Sequence, residues 1–496
     1  MQDFSILQHL LYGFSVALSP GNIFFCFLGV LFGTLVGILP GFGPTAGICV
    51  LLPITYHIPT SSTIIMLAGI YYGAMYGGST TSILLKIPGE AASVVTCLDG
   101  YAMARKGRAG PALGIAAFGS FIGATISLIG LVCMGPPLAS WALKFRAPEF
   151  TCLLVLALVL LAYLGSKSIT KALMMALAGL FLSTIGMDQI SGKPRFSYHI
   201  MGLMDGIDFL PVAMGLFGIA EIFANLETTI KAEIFETKIK NLFPNLQDWK
   251  DSFGPIMRGS FLGFFLGLLP GGGALISSFA SYALEKRLSN KQFGTGVIEG
   301  VAGPETANNS GATGAFLPLL TLGIPGNVTI AILIGALMIH GVQPGPLLMK
   351  EHPDIVWGVI ASMYVGNVML LVLNLPLIPL WVRVMRVPYY ILFPIIISLC
   401  IVGAYTVNNS VFDVAIMMIF GVIGYIMQKF DYDAAPLIMA LLLGPMFENS
   451  FRQSLILSEG SLSIFFASPI SVTLLIMAAL LLVSRLFLRF IRVSGK

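Results

Sequence analysis

The sequence predicts an all-α polytopic membrane protein of about 12 transmembrane helices, some of them broken or re-entrant. Three observations predict it. Hydrophobic residues make up 56% of the 496 and charged residues only 10%, against about 25% charged in soluble domains. Apolar runs recur along the whole chain. Two of them, "GTLVGILPGFGPTAG" from Gly33 and "GFFLGLLPGGGALIS" from Gly263, are interrupted in the same way by a Pro-Gly-x-Gly group.

The formal net charge of +4, from 27 basic and 23 acidic residues, is ordinary for a membrane protein whose cytoplasmic loops favour Lys and Arg, and implies no nucleic-acid partner. The six cysteines show no CxxC or Cys/His spacing, so they read as small apolar packing residues. Residues 1–20 lack a basic start and a small-residue cleavage site, which predicts a retained interfacial or spanning helix.

Apolar runs suited to spanning fall at 22–39, 61–85, 110–134, 149–164, 170–186, 205–224, 296–322, 325–342, 355–381, 389–407, 411–428 and 463–484. They divide between two copies of one unit. Gly29, Gly33, Gly37, Leu39, Pro40, Gly41 and Gly43 match Gly259, Gly263, Gly267, Leu269, Pro270, Gly271 and Gly273 at one constant offset. "KIPGE" from Lys86 then matches "GIPGN" from Gly323. Trp141, Arg146 and Pro148 match Trp381, Arg386 and Pro388, and Met175 and Gly179 match Met417 and Gly421, always in order. The expected organisation is an N-terminal helix at 1–20, a first repeat at 21–186, a connecting helix and amphipathic cytoplasmic linker at 187–258, a second repeat at 259–428, and C-terminal helices with a basic tail at 429–496. Arg485, Arg489, Arg492 and Lys496 in that tail predict a cytoplasmic C-terminus. Loop charges leave parallel and inverted repeats undistinguished, because Lys144 and Arg146 sit where Arg383 and Arg386 do.

Within hydrocarbon, irregular backbone survives only where it is buried in protein or lines a wet cavity, so the breaks point inward. Pro40 and Pro270 remove a donor, while Gly41, Gly43, Gly271 and Gly273 permit angles and approaches that side chains forbid. Half-helices starting there present free N–H groups and a positive dipole end to an anion. Paired interruptions at corresponding places mark the midplane site of a secondary transporter. The expected substrate-binding residues are Pro40, Gly41, Phe42, Gly43, Thr45, Ser79, Thr80, Lys86, Gly89, Pro270, Gly271, Gly272, Gly273, Gly326 and Asn327. Lys86 has two readings: a partner for a substrate carboxylate, or a helix-end lysine that snorkels or pairs with Glu90. Glu305, Asn308, Asn309, Ser310 and Thr313 supply hard oxygens for a sodium ion, or a carboxylate that carries a proton; a hydrogen-bonding knot between helices is their structural alternative. No Walker A, GxSxG or kinase motif is present, which disfavours ATP coupling and enzyme chemistry.

The motifs "GILPGFGPT", "GLLPGGG", "GVIEGVAGPETANNSGATGAFLPLLTLGIPG", "GVQPGPLL" and "LLLGPMFENSFRQSL" resemble TctA, the large membrane subunit of the tripartite tricarboxylate transporters, over nearly the whole chain. The resemblance implies a permease of the bacterial inner membrane, driven by a Na+ or H+ gradient and needing no other cofactor. It implies two protein partners: a small four-helix membrane subunit of TctB type and a periplasmic solute-binding protein of TctC type. Substrates would be carboxylates such as citrate, other tri- and dicarboxylates, or aromatic acids. Site residues carry over onto Pro40 to Thr45, Pro270 to Gly273 and Glu305 to Ser310. Similarity to other binding-protein-dependent carboxylate carriers further implies inverted repeats and an elevator-like movement.

Overall fold

The computed structural model describes residues 5–39, 42–164, 168–188, 190–227, 242–385 and 389–494. Among them the chain is almost wholly helical; its one strand pairing joins Gly186–Met187 to Pro194–Arg195 in a short hairpin. The helices run in order as α1 (Ile6–Ala17), α2 (Pro20–Ile38), α3 (Gly43–Leu51), α4 (Thr60–Leu85), α5 (Thr96–Arg105), α6 (Ala109–Ala142), α7 (Ala147–Leu164) and α8 (Ile169–Ser183). After the hairpin comes α9 (Phe209–Glu227). Then follow α10 (Leu246–Gly267), α11 (Gly273–Leu288), α12 (Glu299–Gly314), α13 (Phe316–Leu322), α14 (Val328–Ile339), α15 (Pro353–Asn374), α16 (Ile378–Val384), α17 (Tyr389–Asn408), α18 (Val411–Lys429), α19 (Ala435–Leu457) and α20 (Pro469–Ser494).

Among the described residues five of these, α2, α6, α9, α15 and α18, are long and apolar enough to cross a bilayer by length and composition. The 12 apolar runs read from the sequence therefore do not all appear as single long apolar helices. The run at 296–322 divides at Ala315 into α12 and α13, and the run at 325–342 yields only the 12 residues of α14. Helix α4 has the length, but "STIIMLAGIYYGAMYGGSTTS" is too rich in Ser, Thr and Gly to count as lipid-facing. Its setting explains that composition: residues Ser62 to Leu84 are all buried within the protein. Helix α12 is buried at every position from Glu299 to Gly314. These two helices form the inner layer, shielded by their neighbours.

Glycines set how closely the outer helices approach that layer. On α2, a Cβ at Gly29, Gly33 or Gly37 would come within 2.2, 2.5 and 2.2 Å of the carbonyl oxygens of Met66, Ile70 and Ala74 on α4. On α10, a Cβ at Gly259, Gly263 or Gly267 would come within 2.7, 2.5 and 2.4 Å of those of Gly303, Ala307 and Gly311 on α12. Both pairs run parallel, backbone against backbone, as small-residue stripes permit. The two inner helices run against each other instead: Tyr71 of α4 lies 6.1 Å from the Phe316 ring of α13, and Ser79 of α4 bonds Glu305 of α12.

Helix α4 ends on the left-handed Lys86 (φ 60°), and α13, which follows α12 after Ala315, ends on the left-handed Gly323 (φ 70°). The chain then doubles back through Ile87-Pro88-Gly89 or Ile324-Pro325-Gly326. A new helical segment starts behind an extended N-cap residue, Glu90 or Asn327, whose side chain accepts from the backbone N–H of Ala92 or Ile330. The other two breaks lie between α2 and α3 and between α10 and α11, which resume at Gly43 (φ 53°) and Gly273 (φ 47°). Pro40 and Gly41 lie outside the described residues, as do 228–241 of the expected linker. Helix α10 already begins at Leu246, behind an Asn245 cap that accepts from the Asp248 N–H.

Candidate functional site

The breaks pair within each half of the chain. Gly89 sits where a Cβ would lie 1.9 Å from the Gly37 carbonyl oxygen, so the turn after α4 is pressed onto the end of α2. In the second half, the Gly271 N–H donates to the Gly326 carbonyl at 2.8 Å. Near the breaks the halves meet at polar points: Thr45 meets Thr329 at 2.8 Å between hydroxyls, Asn308 Nδ2 donates to Glu90 Oε1 at 3.0 Å, and Asn327 Nδ2 donates to the Tyr71 hydroxyl at 2.8 Å.

A cavity of about 350 Å³ opens beside the first pair of breaks, walled by Phe42, Gly43, Thr45, Ala46, Pro88, Gly89, Glu90, Ala91, Phe217 and Glu221. Its size suits a small organic molecule. Helix α3 begins at its edge with no side chain capping the Gly43 end, leaving N–H groups and a positive dipole end available. Phe217 and Glu221 come from α9, where a π-helical stretch at Met214–Ile219 widens the turn just before Glu221. Such stretches often mark functional sites. Glu221 accepts from Gln428 Nε2 at 3.3 Å and Asn225 Nδ2 at 3.4 Å.

Behind Glu90 lies a buried polar group. The Glu305 carboxylate, fully enclosed, accepts from the hydroxyls of Ser79 and Thr96. One helical turn on, Asn308 reaches Glu90, and its own Oδ1 has no hydrogen-bond partner. Asn309 turns toward α6, donating to Ser120 Oγ at 2.7 Å, and its Oδ1 is likewise unpartnered. Ser310 faces α10 and donates to the Ser260 carbonyl at 2.5 Å. Thr313 is buried beyond it.

Of the expected substrate residues, the cavity brings together Phe42, Gly43, Thr45 and Gly89. Ser79 is committed to Glu305, and Thr80 lines a small recess with Tyr76 and Asn374. Lys86 is exposed, its ammonium 5.9 Å from the Tyr101 ring centroid rather than on Glu90. Pro270, Gly271, Gly272, Gly273, Gly326 and Asn327 stand apart from this cavity's wall, in the second pair of breaks. Four of the five expected cation residues split: Glu305 and Asn308 face α4, α5 and Glu90, whereas Asn309 and Ser310 face α6 and α10. Sequence reasoning missed Thr96, Tyr71, Thr329 and Phe217 as site residues. Glu221 did carry a signal, being an acid inside an apolar run, but nothing local named its surroundings.

A second, larger cavity of about 840 Å³ lies at the opposite end of α9 and α18 from Glu221, where α8, α14 and α19 also end or pass. Arg195 there grips Glu448 at 2.6 and 3.1 Å, and Arg452 bonds Asp188 at 2.9 Å and Glu448 at 3.0 Å. The backbone N–H groups of Ile190 and Ser191 hold the Asp188 carboxyl well below the usual carboxylate range, with Arg452 adding to the effect.

The profile of the tripartite tricarboxylate transporter TctA family matches residues 23–439. An uncharacterized 52.8 kDa protein of Agrobacterium vitis, from the TAR-I ttuC′ 3′ region, is 48% identical over 95% of this chain and 94% of its own length. A second Agrobacterium vitis protein, from the TAR-II ttuC′ 3′ region, is 46% identical over 43% of this chain and 89% of its own. An uncharacterized protein of Methanocaldococcus jannaschii is 25% identical over 54% of this chain and 62% of its own. No solved structure matches the chain. The multi-pass architecture, the family-wide match and a relative alike from end to end agree: this chain belongs to the TctA family of tripartite tricarboxylate transporters, a family of transporters and not of enzymes.

Proposed function

We propose that the chain carries a carboxylate into the cell across the bacterial inner membrane, coupled to a Na+ or H+ gradient and supplied by a periplasmic binding protein. The observation that carries this reading is the cavity in which the uncapped start of α3, at Gly43, faces the Glu90 turn. The enclosed Glu305–Asn308 group stands directly behind it. An uncapped helix start favours an anion; buried carboxylate and amide oxygens favour a cation. Binding both together lowers the cost of moving a charged acid through low-dielectric surroundings.

The two-repeat reading is supported by the glycine stripes of α2 and α10, by left-handed ends at Lys86 and Gly323, and by the caps Glu90 and Asn327. The opposed directions of α4 and α12 favour inverted copies, the plan used by many alternating-access carriers. The Lys/Arg-rich C-terminal tail favours a cytoplasmic end for α20. Helix α19 runs parallel to α8 and antiparallel to α18, and its far half, which lines the larger cavity, leads through residues 458–468 into the start of α20, so that cavity then falls on the periplasmic side. That is where a solute-binding partner would deliver its cargo, with a small four-helix subunit beside the bundle.

Proteoliposomes holding this chain, a TctB-type subunit and a TctC-type binding protein are expected to accumulate labelled citrate, succinate or benzoate only under an inward cation gradient. Accumulation should collapse when the gradient is dissipated. Flux that persists without a gradient, at currents far above carrier turnover, would instead mark a channel.

A further inference from the structure

The ionisable groups of the cavity are all acidic. Its ionisable side chains are Glu90 and Glu221, and among the described residues no Lys, Arg or His stands in its wall. A carboxylate guest entering it meets like charge in a poorly screened setting, which opposes binding unless something neutralises the wall.

Glu90 is built to receive that neutralising charge. Its Oε2 accepts from the Ala92 N–H at 2.6 Å, and its Oε1 accepts from Asn308 Nδ2 at 3.0 Å. The other end of the same Asn308 amide, Oδ1, is buried with no donor facing it. A buried acceptor left unsatisfied is costly, and a cation is the ligand that satisfies amide and carboxylate oxygens together. Other titratable groups around Glu90 are Glu305 from α12 and Tyr71 from α4, with Glu221 across the cavity. Lys86 is exposed on the far side of the turn and Cys97 lies on α5 toward Glu305.

We propose that Glu90 is the coupling residue: a monovalent cation, sodium or proton, binds between its carboxylate and Asn308 Oδ1, and only then does the cavity admit a carboxylate. This rests on the uptake reading above and deepens it, because the cation and substrate sites become one continuous site with Glu90 as the shared wall. The order follows from charge alone: cation first, acid second, both leaving together.

The test uses the purified full chain in nanodiscs, without any carboxylate at first. Thermal unfolding is followed as NaCl replaces choline chloride at fixed pH and, separately, as pH falls from 8 to 5.5 in choline. The wild type is expected to gain several degrees in one arm, which identifies the cation. Glu90→Gln should lose that shift, Glu90→Asp should keep it with weaker apparent affinity, and Asn308→Ala should lose it while retaining the acid. A wild type that responds in neither arm overturns the proposal, as does a Glu90→Gln protein that shifts like the wild type. Citrate is then added: its apparent affinity should rise at least tenfold with the cation in the wild type and be cation-independent in Glu90→Gln. A cation shift that behaves as stated, in a protein blind to citrate, succinate and benzoate, supports the cation site and sinks the uptake reading.

Discussion

At Lys86–Glu90 and at Gly323–Asn327 the chain makes the same moves: a left-handed residue, a Pro-Gly reversal, and an extended cap that reaches across to the inner helix of the other half. Glu90 meets Asn308 on α12, and Asn327 meets Tyr71 on α4. The chemistry and the room available differ. The first turn is jammed against Gly37 and carries a carboxylate, whereas the second carries a neutral amide and leaves more space around Gly326. One backbone plan thus serves a charged, cavity-lining turn and an uncharged one outside that cavity, so the backbone plan and the ionisable group are separable.

The largest expected effect comes from crowding. Gly89→Ala puts a methyl 1.9 Å from the Gly37 carbonyl, an overpacking that backbone cannot relieve and that costs about 3 kcal/mol or more; folded yield by size-exclusion should collapse. Gly326→Ala meets its nearest atom, Ala315 Cβ, at 3.2 Å, and should cost less than about 1 kcal/mol. Equal tolerance at both positions would break the comparison.

Next in size is Glu305→Ala. It leaves the Thr96 hydroxyl without its acceptor and Ser79 with only the Met75 carbonyl at 3.2 Å, around an empty space, which costs about 2 kcal/mol or more, and it should lower gradient-driven uptake at least tenfold. Asn327→Ala removes a cap without removing charge. It should lower stability by about 1 kcal/mol, read as a modest fall in Tm.

The left-handed ends sharpen the comparison further. Lys86 holds φ 60° with a side chain, so Lys86→Gly should raise stability by a few tenths of a kcal/mol to about 1 kcal/mol. Gly323→Ala should lower it instead, since its Cβ would lie 2.8 Å from Pro344 backbone. The smallest effect concerns Asp188 at the larger cavity. Its folded carboxyl titrates below its unfolded value, so its contribution is complete above about pH 4 and fades as pH falls through the lowered folded value. Asp188→Asn should flatten that part of a Tm-against-pH curve.

The helix interruptions were legible because Pro and Gly act on their own neighbourhood: "LLPGGG" ends α10 and "KIPGE" ends α4 whatever surrounds them. The packing role of Gly29, Gly33 and Gly37 was legible for a similar reason, as spacing by four places them on one helix face. For Lys86 the sequence left a substrate ligand and a helix-end lysine both open, since local sequence does not say where the left-handed residue ending α4 sends its side chain; the structure has it exposed. That α4 and α12 are inner helices was not legible, since hydropathy cannot tell a helix buried among other helices from one facing lipid.

The chain's solvent, its breakpoints and its family were therefore set by composition and local motif alone. Which groups confront one another was decided only in three dimensions. Glu90 finds Asn308, Glu305 finds Ser79 and Thr96, and Glu221 reaches the cavity from α9 because glycine stripes and opposed inner helices bring distant stretches into register. Backbone preferences act over a few neighbouring residues; the pairing of charges depends on how whole helices slide and stack, and no single segment contains that information.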